Sequence, residues 1–144
     1  MNAPAQIPGS QPRALAQPGT TYKVKRILIV DDDSDFRWVL THALQTEAET
    51  IATARNGCEA IERMKTERYD FVILDMHMPC KDGLATLQEI RKTDREVKIF
   101  ILTLAPTRKM FHDVCFEHAN GFFVKPLLPD ETEDFIERLT AQIQ

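Results

Sequence analysis

The chain is long enough for one globular domain, because 144 residues with 43% hydrophobic and 28% charged side chains can bury an ordinary core. A formal net charge of -4 lacks the basic character of a nucleic-acid-binding protein, so we expect no direct contact with DNA or RNA. No apolar stretch approaches the roughly 20 residues that span a bilayer and no signal peptide is recognisable, so we expect a cytoplasmic protein without membrane insertion.

The N-terminal segment differs in composition from the rest of the chain. Its prolines, at positions 4, 8, 12 and 18, are half of the chain's 8, and Arg13 is the only charged residue among the first 20. Such a segment buries too little surface to offset the entropy of ordering it. We therefore expect a flexible tail over residues 1–22 and a single folded domain over residues 23–144.

Five short runs of mostly apolar residues follow the tail. They cover residues 27–30, 50–54, 71–74, 97–102 and 122–124. Runs of this length and character are typical of strands that are covered on both faces, as in a parallel sheet. The sequence therefore predicts five buried strands.

Between and after these runs, apolar residues recur at helical spacing. The stripes lie within residues 36–44, 60–64, 84–90, 110–118 and 135–143. Asp33 and Asn56 can cap the first two helices, and Asn120 with Gly121 can end the fourth. Five βα units with right-handed crossovers predict an α/β fold of the flavodoxin-like, doubly wound type, with five helices around a five-stranded parallel sheet in the strand order 2-1-3-4-5.

The chain's most informative polar residues stand where apolar runs end. They are Asp31, Asp32, Asp75, Thr103 and Lys125. The intervals are 43 residues from Asp32 to Asp75, 28 from there to Thr103 and 22 from there to Lys125. These intervals correspond to two, one and one βα units. We therefore expect these four residues to end strands 1, 3, 4 and 5 and to meet at the carboxyl edge of the sheet, where such folds bind ligands.

These residue types suit phosphoryl chemistry. Three carboxylates at close range repel one another, so they must protonate, move apart or hold a cation. A divalent cation is the natural answer, and an all-oxygen site with open positions suits Mg²⁺. Lys125 and Thr103 supply a positive charge and a hydroxyl donor for a phosphoryl group. Asp75 is the best candidate nucleophile, because carboxylates can form aspartyl phosphates.

Three segments strongly resemble the response regulator receiver domains of two-component signalling. They are residues 27–37, which contain Asp31-Asp32, residues 74–83, which contain Asp75, and residues 122–126, which contain Lys125-Pro126. The resemblance extends over about residues 25–144. It implies a phosphoprotein switch of a two-component system or phosphorelay, in which Asp75 accepts a phosphoryl group from a sensor histidine kinase or a histidine phosphotransfer protein.

The resemblance also implies a role for each residue of the site. Asp32, Asp75 and the backbone carbonyl of His77 would bind Mg²⁺, with Asp31 acting partly through water. Lys125 would contact the phosphoryl group, while Thr103 and the aromatic Phe122 would move as the switch. A cis peptide bond before Pro126 is common in such domains.

No output domain is expected after the last helix, so the chain resembles single-domain regulators of the chemotaxis and phosphorelay type. Such a protein catalyses only its own phosphotransfer and autodephosphorylation and is not otherwise an enzyme.

A downstream protein would bind the face formed by helix 4, strand 5 and helix 5. We expect Phe116 to be exposed there as an anchor and most neighbouring aromatic residues to be core. The sequence leaves open whether phosphorylation drives the formation of a homodimer.

Two residues depart from the usual receiver pattern. Leu104 follows Thr103 where the family usually has a small residue, and its bulk would slow phosphorylation by small donors and hydrolysis by water. His77 lies two residues beyond Asp75, where its imidazole could tune the phosphoryl lifetime and change charge near neutral pH.

Two alternative functions follow from these residues. Because of Leu104, a pseudo-receiver, which would signal without phosphate, stays an alternative. A phosphohydrolase of the haloacid dehalogenase type is disfavoured, since those enzymes place an Asp where this chain has His77.

The cysteines Cys58, Cys80 and Cys115 are odd in number and have no paired spacing. This pattern argues against a disulfide framework and for a reducing compartment. We therefore expect three free thiols, with Cys115 packed as a small hydrophobic side chain.

Overall fold

A five-stranded parallel sheet forms the centre of the protein in the computed structural model, which describes residues 24–143. Its strand order is β2-β1-β3-β4-β5, as the sequence predicted. The strands are β1 (Val24–Val30), β2 (Ala48–Ala54), β3 (Phe71–Asp75), β4 (Lys98–Thr103) and β5 (Gly121–Val124). The predicted flexible tail, residues 1–22, lies outside the described residues.

One α-helix follows each strand, which confirms the five predicted βα units. The helices are α1 (Ser34–Leu44), α2 (Gly57–Thr66), α3 (Gly83–Thr93), α4 (Arg108–Phe116) and α5 (Thr132–Ile143). The side chains of Asp33 and Asn56 accept hydrogen bonds from backbone amides of the first turns of α1 and α2, so both predicted caps are present. No helix within residues 24–143 is long and apolar enough to cross a membrane.

The fourth helix ends earlier than predicted. It stops at Phe116, and His118 adopts a left-handed backbone conformation with φ 67°. Asn120 lies beyond the helix, where its Oδ1 accepts hydrogen bonds from the backbone N of Ile99 and from the guanidinium of Arg91. Asn120 therefore joins the start of β4 to α3 and does not end α4.

Helices cover both faces of the sheet. Residues of α1 and α5, including Leu40 and Phe135, pack on one face, and residues of α2, α3 and α4, including Leu87 and Val114, pack on the other. All five residues of β3 are buried. This burial holds the end of β3 at a fixed position, where the last residue of the strand is Asp75.

The expectation of three free thiols is wrong. Cys58 at the start of α2 forms a disulfide with Cys80 in the loop between β3 and α3, with their Cα atoms 6.4 Å apart. Their separation of 22 residues is close to one βα unit, so the fold brings both to the same edge of the sheet. The third cysteine, Cys115, is free but exposed, which also contradicts its expected place in the core.

The aromatic residues near α4 are more exposed than expected. Phe116 is 80% exposed, as predicted, but Phe111 is 48% exposed and Phe122 and Phe123 are only partly buried. The helix is short and contributes only Val114 to the fully buried core, so its aromatic side chains lie at the surface. The peptide bond before Pro126 is trans, against expectation, since residues 24–143 contain no cis bond.

Candidate functional site

The ends of the central strands lie side by side and position the candidate residues. Asp31 directly follows β1, Asp75 and Thr103 are the last residues of β3 and β4, and Lys125 directly follows β5. Asp75 pairs with Leu102 in the sheet register, one residue before Thr103. The residues that follow the apolar runs therefore share one edge of the sheet.

Three carboxylates cluster at this edge. Asp31, Asp32 and Asp75 each place one carboxylate oxygen within 4.8 Å of the others. Asp31 and Asp75 are buried, whereas Asp32 is exposed. The backbone N of Asp33 donates a hydrogen bond of 2.9 Å to Asp31 Oδ1, which fixes that carboxylate. The cluster is thus buried on one side and open to water on the other.

Lys125 bridges the two buried carboxylates. Its Nζ lies 2.6 Å from Asp31 Oδ2 and 3.3 Å from Asp75 Oδ1. The ammonium also lies 4.6 Å from the centre of the Phe36 ring, within the range of a cation–π contact. The backbone N of Lys125 donates to the carbonyl of Thr103 at 2.8 Å, which joins the ends of β4 and β5.

Burial and neighbouring charges shift the pKa values of Asp31, Asp75 and Lys125. Burial, followed by repulsion from Asp31, raises the pKa of Asp75 to about 6, although Lys125 opposes the shift. Burial also raises the pKa of Asp31. Burial alone would lower the pKa of Lys125, but its hydrogen bond to Asp31 and the two negative charges outweigh that effect and raise it. With all three carboxylates ionised, the site would hold three negative charges against one ammonium and would attract a further cation.

Thr103 is fully buried, and its Oγ accepts a hydrogen bond of 3.2 Å from the backbone N of Ala105. A hydroxyl that accepts in this way keeps its proton available for donation. Leu104, the next residue, is 53% exposed. Phe122 packs edge-on against Phe111 of α4, with ring centres 5.5 Å apart. The candidate switch aromatic is therefore in direct contact with a helix.

The loop after Asp75 depends on Gly83, which was not among the residues predicted to matter. A Cβ atom on Gly83 would lie 2.4 Å from the carbonyl O of Asp75 and 2.7 Å from the Cα of Met76. The N of Gly83 also donates to the carbonyl of Met76 at 2.8 Å. Gly83 thus allows α3 to begin against the backbone of Asp75. The side chain of His77 in this loop is exposed.

The donor set of this site fits Mg²⁺. Asp31, Asp32 and Asp75 provide only hard oxygen ligands, and the exposure of Asp32 leaves room for water, which Mg²⁺ usually retains. The set contains no sulfur or imidazole ligand that would favour zinc. The residues present are therefore suited to Mg²⁺, the ion predicted from the sequence.

Known proteins resemble this chain in both sequence and fold. Residues 27–137 match the family model of the response regulator receiver domain. Chemotaxis protein CheY of Bacillus subtilis is 33% identical over 114 residues, which are 78% of this chain and 95% of that protein. Sporulation initiation phosphotransferase F of the same organism is 31% identical over 114 residues, covering 79% of this chain and 92% of that protein.

A solved structure is also similar to this chain in sequence and fold. Response regulator TrrA of Thermotoga maritima, in complex with Mg²⁺ and BeF, is 36% identical and superposes with a TM-score of 0.67, covering 83% of this chain and 99% of that one. The family model spans more than half of the sequence, and the strand order and strand-end carboxylates agree with it. The chain belongs to the response regulator receiver domain family, whose members act as phosphorylation-dependent switches in two-component systems.

Proposed function

We propose that Asp75 is the phosphoacceptor of this receiver domain. A carboxylate oxygen of Asp75 attacks the phosphorus of a phosphohistidine on a sensor histidine kinase or a histidine phosphotransfer protein. A P–O bond forms as the P–N bond breaks. The observation that carries the proposal is the position of Asp75, which is buried at the end of β3 among two other carboxylates and within 3.3 Å of Lys125 Nζ.

Asp31, Asp32, Asp75 and the backbone carbonyl of His77 would hold Mg²⁺. When bound, the ion supplies positive charge that reduces the repulsion between the Asp75 carboxylate and the incoming phosphoryl group. Asp31 and Asp75 fit this role because both are buried beside a single ammonium, which leaves them excess negative charge. Asp32 lies on the exposed side, from which the donor must approach.

Lys125 and Thr103 stabilise the phosphoryl group once it is on Asp75. The ammonium of Lys125 already contacts Asp75 and would pair with a phosphoryl oxygen. The hydroxyl of Thr103, at the end of the adjacent strand, would donate a hydrogen bond to a second oxygen. Leu104 and His77 lie beside these groups in the chain and would set the rates of phosphorylation and hydrolysis.

Phosphorylation would change partner binding through the face of α4, β5 and α5. Movement of Thr103 toward the phosphoryl group would be followed by Phe122, which contacts Phe111 of α4. Phe111 and Phe116 are 48% and 80% exposed, and exposed aromatic side chains are frequent anchors of protein interfaces. A downstream protein would therefore recognise a surface whose shape depends on the state of Asp75.

A pseudo-receiver that binds partners without phosphate is the alternative. It is favoured by Leu104, a bulky side chain 53% exposed beside Thr103 that would obstruct access to the acceptor. The two functions make different predictions for the chemistry of Asp75. Only the phosphorylated switch requires that its carboxylate be nucleophilic.

The proposal is tested by incubating the protein with Mg²⁺ and acetyl phosphate, or with a histidine kinase, and measuring its intact mass. We expect a gain of one phosphoryl group that is lost in base and absent in Asp75→Asn. Asp33→Asn is the matched control, because Asp33 adjoins the cluster and asparagine is an equally good helix cap. It should retain the adduct. If wild type gains no phosphoryl group from any donor, the pseudo-receiver is the better description.

A further inference from the structure

The disulfide between Cys58 and Cys80 lies beside the candidate site. Cys58 is the second residue of α2, and Cys80 lies in the loop of residues 76–82 between β3 and α3. This loop begins directly after Asp75 and contains His77. The bond therefore ties the loop that leaves the proposed acceptor to a helix on the same face of the sheet.

The chain is closely packed around the two cysteines. A Cβ atom on Gly57 would lie 2.6 Å from the carbonyl O of Lys81 and 2.0 Å from Thr86 Oγ1. The start of α2 thus lies directly against the loop and against α3. In the disulfide-bonded structure the neighbours of both cysteines are therefore in contact.

Apart from the disulfide, the loop is restrained mainly at its ends and at Lys81. The N of Gly83 donates to the carbonyl of Met76, and the carbonyl of Asp82 accepts from the N and Oγ1 of Thr86. Within the loop, the N of Lys81 donates to the carbonyl of Pro79 at 2.8 Å, and the ammonium of Lys81 pairs with Glu89 of α3. Cys80 itself has a φ of 73°, a left-handed conformation that is unfavourable for a residue with a Cβ. This conformation is easier to keep when the side chain is fixed by a covalent bond.

The bond is also open to chemical attack. Cys80 is exposed and Cys58 is partly buried, so Cys80 is the cysteine of the pair that a small thiol would approach. Cys58 lies in the first turn of α2, where the helix dipole favours a thiolate, the form of cysteine that attacks a disulfide. Exposure at one end and a favoured thiolate at the other are typical of pairs that exchange.

We propose that Cys58 and Cys80 are a reversible redox pair that controls the order of the loop after Asp75 and thereby the affinity of the site for Mg²⁺. The proposal rests on the proposed function in assigning the His77 carbonyl to the metal site. On oxidation the two thiols lose two protons and two electrons as the S–S bond forms, and a small-molecule disulfide such as oxidised glutathione is reduced to two thiols. Reduced glutathione reverses the exchange.

The oxidised form should be the one that binds the ion more tightly. The bond limits the excursions of the loop and so holds the carbonyl of His77 near the carboxylates. In the reduced form Cys80 can leave its left-handed conformation, and the loop samples positions that do not present the carbonyl. Loss of such supporting restraints commonly weakens metal binding by about tenfold or more.

The first measurement is equilibration of the full chain in buffers of different glutathione ratios, followed by alkylation of free thiols and peptide mass spectrometry. We expect Cys58 and Cys80 to become protected together while Cys115 remains alkylated. Cys115→Ser should behave as wild type. If Cys58 and Cys80 stay alkylated at every ratio, the redox pair is excluded.

The second measurement compares oxidised and reduced protein by amide hydrogen exchange over residues 76–82 and by calorimetric titration with Mg²⁺. We expect slower exchange and about tenfold tighter binding in the oxidised form. Cys58→Ser and Cys80→Ala should resemble reduced wild type under either condition. Equal exchange and equal Mg²⁺ affinity in both forms would overturn the proposal. Neither readout requires phosphorylation, so the proposed function can fail or hold separately.

Discussion

The ammonium nitrogen of Lys125 lies 2.6 Å from Asp31 Oδ2, and the two side chains are only 7% and 1% exposed. This buried ion pair joins the ends of β1 and β5 across the top of the sheet. Asp75 is the second partner of the same ammonium at 3.3 Å. Lys125 therefore stabilises the folded state by neutralising carboxylates that burial alone would disfavour.

Replacement of Lys125 by Met should destabilise the protein strongly. It leaves Asp31 and Asp75 buried without their cation, and breaking a buried pair in this way commonly costs about 3–5 kcal/mol. Urea unfolding at pH 7, followed by circular dichroism, measures the free energy of unfolding. Lys92→Met, on the exposed face of α3, is the control and should change it little. Equal stability of the two variants would contradict a structural role for the pair.

Replacement of Asp75 by Asn should have the opposite effect. The ionised Asp75 carboxylate is disfavoured by burial and by the charge of Asp31, while Lys125 keeps its closer contact with Asp31. We expect the metal-free variant to gain on the order of 1–3 kcal/mol in free energy of unfolding at pH 7. Glu137→Gln, on the exposed side of α5, should not show this gain. A loss of stability in Asp75→Asn would mean that Asp75 contributes more through Lys125 than burial costs.

The stability of the metal-free protein should depend on pH through Asp75. Its pKa is about 6 in the folded protein and 3.8 in a model peptide, so between these values the folded state binds more protons than the unfolded state. The Asp75 contribution is thus fully present below about pH 4 and is lost as the pH rises through 6. Urea unfolding from pH 4.5 to 7.5 should show this fall in wild type, and the fall should be smaller in Asp75→Asn. Parallel profiles would show that Asp75 titrates normally.

Leu104 should control access to the acceptor. We expect Leu104→Ala to speed both phosphorylation by acetyl phosphate and hydrolysis of the phosphoryl group, because a methyl group leaves more room beside Thr103. The side chain is 53% exposed, so its truncation should change the free energy of unfolding by no more than about 0.5 kcal/mol. Leu127→Ala, which removes a leucine 73% exposed, is the matched control. Both rates are followed by intact mass. Unchanged rates in Leu104→Ala would show that Leu104 does not limit access to Asp75.

The positions of the candidate residues could be predicted because they depend on chain length between strand ends. Intervals of one or two βα units determine which side chains reach the carboxyl edge, whatever the details of packing. Asp31, Asp75 and Lys125 meet for this reason. Apolar runs likewise marked the strands, since burial on both faces of a parallel sheet leaves little room for polar residues.

The features that were missed depend on contacts between elements. The bond between Cys58 and Cys80 requires α2 to pack against the loop after β3, and their spacing in the sequence does not by itself establish that contact. Asn120 is a second example, because its side chain accepts hydrogen bonds from the backbone N of Ile99 and the guanidinium of Arg91 and does not end α4. The separation of 22 residues between the cysteines was the one available signal, because it matches a βα unit.

The most direct test of the central claim is the location of the phosphoryl group after incubation with Mg²⁺ and acetyl phosphate. Borohydride reduction converts an aspartyl phosphate to homoserine, and tandem mass spectrometry then identifies the position. We expect homoserine at position 75 and unmodified aspartate at positions 31 and 32. Homoserine at either of those positions, or at none of the three, would contradict the assignment of Asp75 as the phosphoacceptor.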